Sequence, residues 1–269
     1  MKIAMYKMEI VWGDIPANLQ KVKSWLEVHS NEADLLVLPE MFATGFCVES
    51  PELSEDENGQ ILRQLRIWSE TYHIAIIGSM MWREDGDAKS LNRAFFIKPS
   101  DSPVFYDKRH LFRMGSEGVY FSQGDKRVVV EYMGLRFLLQ ICYDLRFPVF
   151  SRCRENDYDV AVYVACWPKA RVEAWKILLP ARAVENLSYV CGVNAVGLDN
   201  GGRQQGGHSM LVDMKGECLA HLDELEDFAI VEIEKEKLEK FRHKFPVLKD
   251  SLCLRRRTSL LKFRVLSFV

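Results

Sequence analysis

The stretch LLQICYDLRFP, residues 138–148, ends an apolar run on Cys142, Tyr143 and Asp144, and Pro148 then opens a new element. Its reading decides the fold. If the run is a buried strand that stops at Cys142, the chain is a layered α/β protein, and in such folds sites are built at the carboxyl ends of strands. A cysteine in an apolar strand is ordinarily a small buried hydrophobe. One held at the strand's end is placed to act as a nucleophile. The pattern leaves both readings open.

Working outward, strands and helices alternate. KIAMYKMEI (2–10) reads as a strand and PANLQKVKSWLEVHS (16–30) as an amphipathic helix. ADLLVLPE (33–40) is a short apolar run, as expected of a strand buried on both faces. Residues 55–72 carry Ile61, Leu62, Leu65 and Trp68 at helical spacing. Strands are expected at 73–82, 92–99, 159–167, 188–197 and 228–234. Hairpins are expected where 127–141 breaks at Met133-Gly134 and where 208–222 turns at Lys215-Gly216. Helices are expected from Pro148 and over 172–187 and 235–244. Strand-helix-strand units mixed with hairpins imply an α/β layered fold with mixed sheets. No Pro/Gly/Ser-rich linker divides the chain. Residues 1–250 read as one domain, and 251–269, with their RRR triplet and apolar end, as a C-terminal extension.

Bulk properties narrow the function. Of the 269 residues 48% are hydrophobic, enough for a sizeable core, and the net charge of −2 gives no electrostatic argument for nucleic acid or an anionic membrane. No run approaches the roughly 18 apolar residues of a membrane span, and the N-terminus lacks the apolar region of a signal peptide. Seven scattered cysteines without a C-x-x-C pair suggest free thiols in a reducing, cytoplasmic setting and no zinc ribbon. The histidines show no metal-binding spacing.

Three polar residues follow apolar runs: Glu40 closes LLVLPE, Lys108 lies in VFYDKRHLF, and Cys142 closes LRFLLQI. A carboxylate within reach of a thiol can take its proton as general base. A nearby ammonium stabilises the anions that result. Each residue alone is more often core or a surface charge, and sequence spacing does not bring them together. Asp144 and Arg146 are expected to brace the turn after Cys142.

The blocks LLVLPEMFATGF, YDKRHLF and ICYDLRFP, in that order, resemble the signatures of the nitrilase superfamily of carbon-nitrogen hydrolases. WPKAR, WKILLPARAVEN and GGHSMLVDMKGE extend the likeness to about residues 1–250. The resemblance implies a four-layer αββα sandwich with mixed sheets and no metal or organic cofactor. It implies Glu40 as general base, Lys108 as the cation on the oxyanion side and Cys142 as nucleophile, with Glu117 of FRMGSEGVYF as a second carboxylate. The backbone N–H of Tyr143 would serve the oxyanion. KRHLFRMGSE, MFATGF and FPVLKD resemble the omega-amidase branch, which hydrolyses the terminal amide of 2-oxo dicarboxylic acid monoamides such as 2-oxoglutaramate and 2-oxosuccinamate. N-carbamoyl-amine hydrolase, deaminated-glutathione amidase and true nitrilase are the rivals within the superfamily, and a non-catalytic family relative that binds a metabolite or partner is the rival of a different class. Phe42, Arg113, Arg146 and Trp167 are the candidate substrate contacts. The implied partners are a small amide and water, and the family likeness implies a homodimer or higher oligomer.

Overall fold

The computed structural model describes residues 1–223 and 226–250; the C-terminal extension expected at 251–269 lies outside the described residues. In chain order the elements are β1 (Lys2–Tyr6), α1 (Ile15–His29), β2 (Leu35–Val37), α2 (Gln60–Tyr72), β3 (Ala75–Trp82), β4 (Ser90–Ile97), β5 (Val104–Asp107), α3 (Glu117–Tyr120), β6 (Phe121–Ser122), β7 (Val129–Tyr132), β8 (Leu135–Ile141), α4 (Pro148–Ser151), β9 (Val160–Ala165), α5 (Val172–Asn186), β10 (Tyr189–Asn194), β11 (Ser209–Val212), β12 (Cys218–Leu222), β13 (Phe228–Glu232) and α6 (Lys235–Lys244).

Two mixed sheets form. One runs β13-β1-β2-β3-β4-β5, with β6 beside β4; the other runs β12-β11-β10-β9-β8-β7. In the first, β1, β2 and β3 are parallel; in the second, β8, β9 and β10 are. The sheets face each other across a core that includes Val37, Ile77 and Phe96 from one and Phe137, Leu139, Val162 and Val193 from the other. On its outer face the first sheet packs Leu36, Ile76 and Phe95 against Leu19, Val22 and Trp25 of α1 and Ile61, Leu65 and Trp68 of α2. The second packs Ala161, Tyr163 and Val190 against Trp175, Leu179 and Ala183 of α5. These contacts make four layers, αββα, as the resemblance implies. Double-sided burial explains why the central strands read as unbroken apolar runs.

Local chemistry sets the boundaries. Asp14 caps α1 through a 2.9 Å bond from the Ala17 N–H, with Pro16 in the first turn. The helix expected over 55–72 starts only at Gln60, because the Glu55 carboxylate takes the Ile61 N–H at 2.7 Å and residues 56–59 form a turn. The strand expected over 2–10 stops at Tyr6. Lys7 N–H donates to the Asp227 carbonyl, and the chain then crosses toward the second sheet, where the Val196 N–H donates to Met8. Met133 and Gly134, both at positive φ (48° and 76°), join β7 to β8 as a two-residue hairpin turn. Among the described residues no helix is long and apolar enough to cross a membrane.

Parallel strands put their carboxyl ends at one edge. β2 and β3 end there, and β5, two antiparallel steps from β3, points the same way. Antiparallel β4 therefore begins at that edge, and Asn92 lies at its start, opposite Met81. Gly192 of β10 keeps α5 close: a Cβ there would meet Leu179 Cδ1 at 2.5 Å and Trp175 Cζ2 at 2.8 Å. Gly192→Val should lower the unfolding free energy by about 1–3 kcal/mol through overpacking. Urea denaturation checks this, as a lower midpoint at unchanged slope.

Candidate active site

Two of the three residues singled out from the sequence stand beside a backbone that leaves its strand by a left-handed turn. After β2 the Leu38 N–H still bonds the Ile77 carbonyl at 2.8 Å. Glu40 follows, and Met41 then turns the chain at φ 45°. Cys142 itself has φ 44°, immediately after β8. Such values cost roughly 1–3 kcal/mol for a non-glycine residue and persist only where the surroundings impose them. Lys108 follows β5, its N–H donating to the Asn92 carbonyl at 2.9 Å. The first sheet thus supplies Glu40 and Lys108, and the second supplies Cys142.

The side chains converge. Lys108 Nζ lies 2.8 Å from Glu40 Oε1 and 3.0 Å from each Glu117 oxygen, and all three side chains are fully buried. Asn92 Nδ2 donates to Glu40 Oε1 at 2.7 Å and to Glu117 Oε1 at 3.2 Å. Glu40 Oε2 accepts the Cys166 N–H at 2.8 Å, and the Cys142 thiol interacts with the Glu40 carboxylate. The Phe112 N–H holds Glu117 from the other side. Cys142 keeps partial solvent access, although protein atoms surround its sulfur.

The electrostatics follow from that packing. Burial by itself would lower Lys108, but Glu117 and Glu40 outweigh it, so the ammonium is held well above its ordinary value. Burial, then Glu40, push the Cys142 thiol well above the ordinary 9.0, with Lys108 opposing. Burial and the Glu40 charge also raise Glu117 against the pull of Lys108. The sulfur therefore rests as a thiol whose proton points at a carboxylate. A free thiolate at rest near neutral pH would need a depressed value.

The turn carrying Cys142 is fixed by Asp144, which is fully buried. It accepts from the Ile141 N–H at 3.0 Å, the His110 N–H at 2.9 Å, His110 Nδ1 at 2.8 Å and the Tyr106 hydroxyl at 2.8 Å. Asp144 braces the turn as expected, but Arg146 is not its partner. His110 and Tyr106, from the lysine segment, take that place and tie the two sheets together beside the cluster. The Arg146 guanidinium instead sits 5.0 Å over the Trp167 ring.

Around the cluster the expected substrate contacts separate. Phe42 is a correction: its ring is fully buried in the α1/α2 layer, edge-on to Phe95 at 6.0 Å. The phenylalanine facing the lysine is Phe46, 5.3 Å from Lys108 Nζ. Trp167 is 2% exposed and donates its indole N–H to the Arg171 carbonyl. Arg113 is exposed in a short 3₁₀ turn, while the exposed Arg171 lies 5.0 Å over Phe112. Asn92, His110 and the Cys166 N–H escaped the sequence reading. An asparagine opening an apolar run carries no local signal, and a backbone N–H carries none at all. A surface groove of about 620 Å³ lined by Tyr6, Trp25, His29, Asp227 and Phe228 shares no residue with this cluster.

Comparison with known proteins places this cluster in context. The carbon-nitrogen hydrolase family matches residues 2–243. The omega-amidase YafV of Yersinia enterocolitica is 40% identical over 252 residues, covering 93% of this chain and 96% of that protein. The 2-oxoglutaramate amidase of Bacillus subtilis is 30% identical over 253 residues, covering 92% and 96%. A CN-hydrolase superfamily protein from Xanthomonas campestris, crystallised with an arsenic adduct in its active site, superposes with a TM-score of 0.90 at 36% identity, covering 93% of this chain and 97% of that one.

Removing Asp144 strands several buried donors at once. Asp144→Ala should cost about 3 kcal/mol or more of stability, measured by chemical denaturation. A loss below about 1 kcal/mol would show that the turn holds without it.

Proposed function

The chain belongs to the carbon-nitrogen hydrolase family, and on that premise we propose that it hydrolyses the terminal amide of small 2-oxo dicarboxylic acid monoamides, 2-oxoglutaramate and 2-oxosuccinamate, to the acid and ammonia. The observation that carries this reading is the buried cluster itself, in which one ammonium contacts two carboxylates and the Cys142 thiol bonds one of them. The similarity to amidases named for these substrates supports the substrate class.

In this reading Glu40 takes the proton of Cys142 as the sulfur attacks the amide carbonyl carbon. The C–S bond forms, and the carbonyl π electrons move to oxygen. The Lys108 ammonium stabilises that oxyanion by its charge, and the Tyr143 N–H donates to it. The first N–H groups of the 3₁₀ turn Cys142–Arg146 lack intrahelical acceptors, which suits them to the task. Glu40 gives the proton to the departing nitrogen, the C–N bond breaks, and ammonia leaves a thioester. Water then attacks, losing a proton to Glu40. The C–S bond breaks, and the proton returns to sulfur. Glu117 holds Lys108 in line. The far carboxylate of the substrate meets Arg146 and Arg171, exposed cations stacked on Trp167 and Phe112 beside the cluster. A cytoplasmic homo-oligomer belongs to the same proposal; the outward Ile177 and Val184 of α5, exposed to 66% and 48%, are apolar residues that a second copy would cover.

Incubation with 2-oxosuccinamate should release ammonia, and N-carbamoyl amines should release none. Cys142→Ala should reduce release to background at an unchanged melting temperature. Lys108→Met should lower kcat by about 10²–10³-fold or more. Turnover of carbamoyl compounds in place of 2-oxo monoamides would move the enzyme to another branch of its family. The raised thiol sets a pH signature as well. Its proton leaves only to Glu40, so little free thiolate accumulates below the raised value, and kcat/KM should stay flat between about pH 7 and 9. A tenfold rise per unit across that range would mean that the thiol ionises by itself.

A further inference from the structure

Two buried residues that touch neither the sulfur nor Lys108 Nζ complete the cluster, Ser79 of β3 and Asn92 of β4, both 0% exposed. The Met41 N–H donates to Ser79 Oγ at 2.9 Å. A backbone N–H can only donate, so the hydroxyl oxygen is the acceptor there, and its proton must go elsewhere. The neighbour that takes it is Asn92 Oδ1, at 3.0 Å. The amide orientation is then settled: with oxygen toward Ser79, nitrogen must face Glu40 and Glu117. Both carboxylates, when ionised, accept only. The chain of donors closes on itself, because Met41, which starts it, is the residue after Glu40, which receives it. The Asn92 carbonyl meanwhile takes the Lys108 N–H. One residue is thus bonded to the carboxylate, to its neighbour carboxylate and to the backbone of the ammonium.

The geometry points to Ser79 and Asn92 as a positioning relay that holds the Glu40 carboxylate with one oxygen saturated and the other turned to Cys142. This rests on the role given to Glu40 above. Glu40 Oε1 is filled by Lys108 and Asn92, so the free lone pair on Oε2, beside the Cys166 N–H, is the one left for the thiol proton. Without a donor at Asn92 the carboxylate can rotate about its Cγ–Cδ bond and present an oxygen already engaged by Lys108. The requirement is for an N–H or O–H, not for bulk. An aspartic acid at position 92 would meet it while protonated and defeat it once ionised, when it becomes a third acceptor facing two others. The titratable and charged groups around that position are Glu40, Glu117, Lys108, Cys142 and Cys166. Burial and the two carboxylates would raise an acid placed there.

The test uses Ser79→Ala, Asn92→Ala, their double variant and Asn92→Asp in the full chain, with two readouts. One is kcat and KM on 2-oxosuccinamate. The other, independent of any amide, is the rate at which iodoacetamide alkylates Cys142 between pH 5.5 and 9, followed by mass spectrometry of the peptide carrying it. Asn92→Ala should lower kcat by about 10–100-fold, the range for partners that orient a reacting group, with KM within about threefold. Ser79→Ala should lower kcat less, and the double variant should be no worse than Asn92→Ala, because Ser79 acts only through Asn92. In Asn92→Asp, kcat/KM and the alkylation rate should both fall with rising pH, by about tenfold across the range, where the unaltered chain is flat or rises. Multiplicative losses in the double variant, or an Asn92→Asp alkylation profile parallel to that of the unaltered chain, overturn the relay. If the chain cleaves no 2-oxo monoamide while the alkylation profile of Asn92→Asp still inverts, the relay stands and the substrate reading falls. Should the Asn92 variants not fold, Ser79→Ala decides: an unchanged kcat and alkylation rate reject the relay, and a fall in both supports it.

Discussion

One ammonium, Lys108, lies between two carboxylates in a place water does not reach. Removing three charged groups from water carries a penalty of several kcal/mol for each ion, and mutual attraction offsets it only where geometry is close and the remaining donors and acceptors are filled. Here they are filled. Lys108 uses its three protons on Glu40 and on both oxygens of Glu117, and Asn92, Phe112 and Cys166 supply the rest. Burial first, and then the Glu40 charge in a cluster with two acids and one base, raise both Glu117 and Cys142. A cluster poised in this way holds the Cys142 thiol protonated with the Glu40 carboxylate beside it.

The fold serves that arrangement. Parallel strands deliver Glu40 and Cys142 to one edge of each sheet, and the antiparallel return through β4 brings Asn92 and then Lys108 back to it. The facing sheets must then be held in register so that residues of one reach residues of the other. The hydrophobic core between them is non-directional and does not fix such a register by itself. Asp144 does it with direction, because Tyr106 and His110 come from the first sheet's lysine segment and Ile141 from the second sheet's β8. The strained backbone at Cys142 sits inside this brace, which fits the rule that unusual dihedrals persist where their surroundings impose them.

Specificity belongs to a different layer of the structure. Glu40, Lys108 and Glu117 are fully buried, whereas Arg146 and Arg171, the cations proposed above to meet a substrate carboxylate, are exposed and rest on aromatic rings. Stacking on Trp167 and Phe112 limits the freedom of long side chains without consuming their hydrogen-bond donors. In the proposed function, reaction type and substrate choice are thus assigned to separate sets of residues.

Period and composition were enough to place most strands and helices, since burial on both faces leaves an apolar run and burial on one leaves a spacing of three and four. They were also enough to mark Glu40, Lys108 and Cys142 as polar residues at strand ends, and the order of their blocks indicated the superfamily. The ends of elements were less legible: the strand at Lys2 gives out after Tyr6 because the Met8 N–H turns back to the Tyr6 carbonyl and Met8 then pairs with Val196, far along the chain. Phe42 and Phe46 are equally aromatic and both follow Glu40 within a few residues, and only packing put one in the core and the other over the lysine. Asn92, Cys166 and Lys108 reach Glu40 across 52, 126 and 68 residues. A hydrogen bond is decided by distance and angle in space, so the sequence determined which groups were available, and the tertiary structure decided which of them meet.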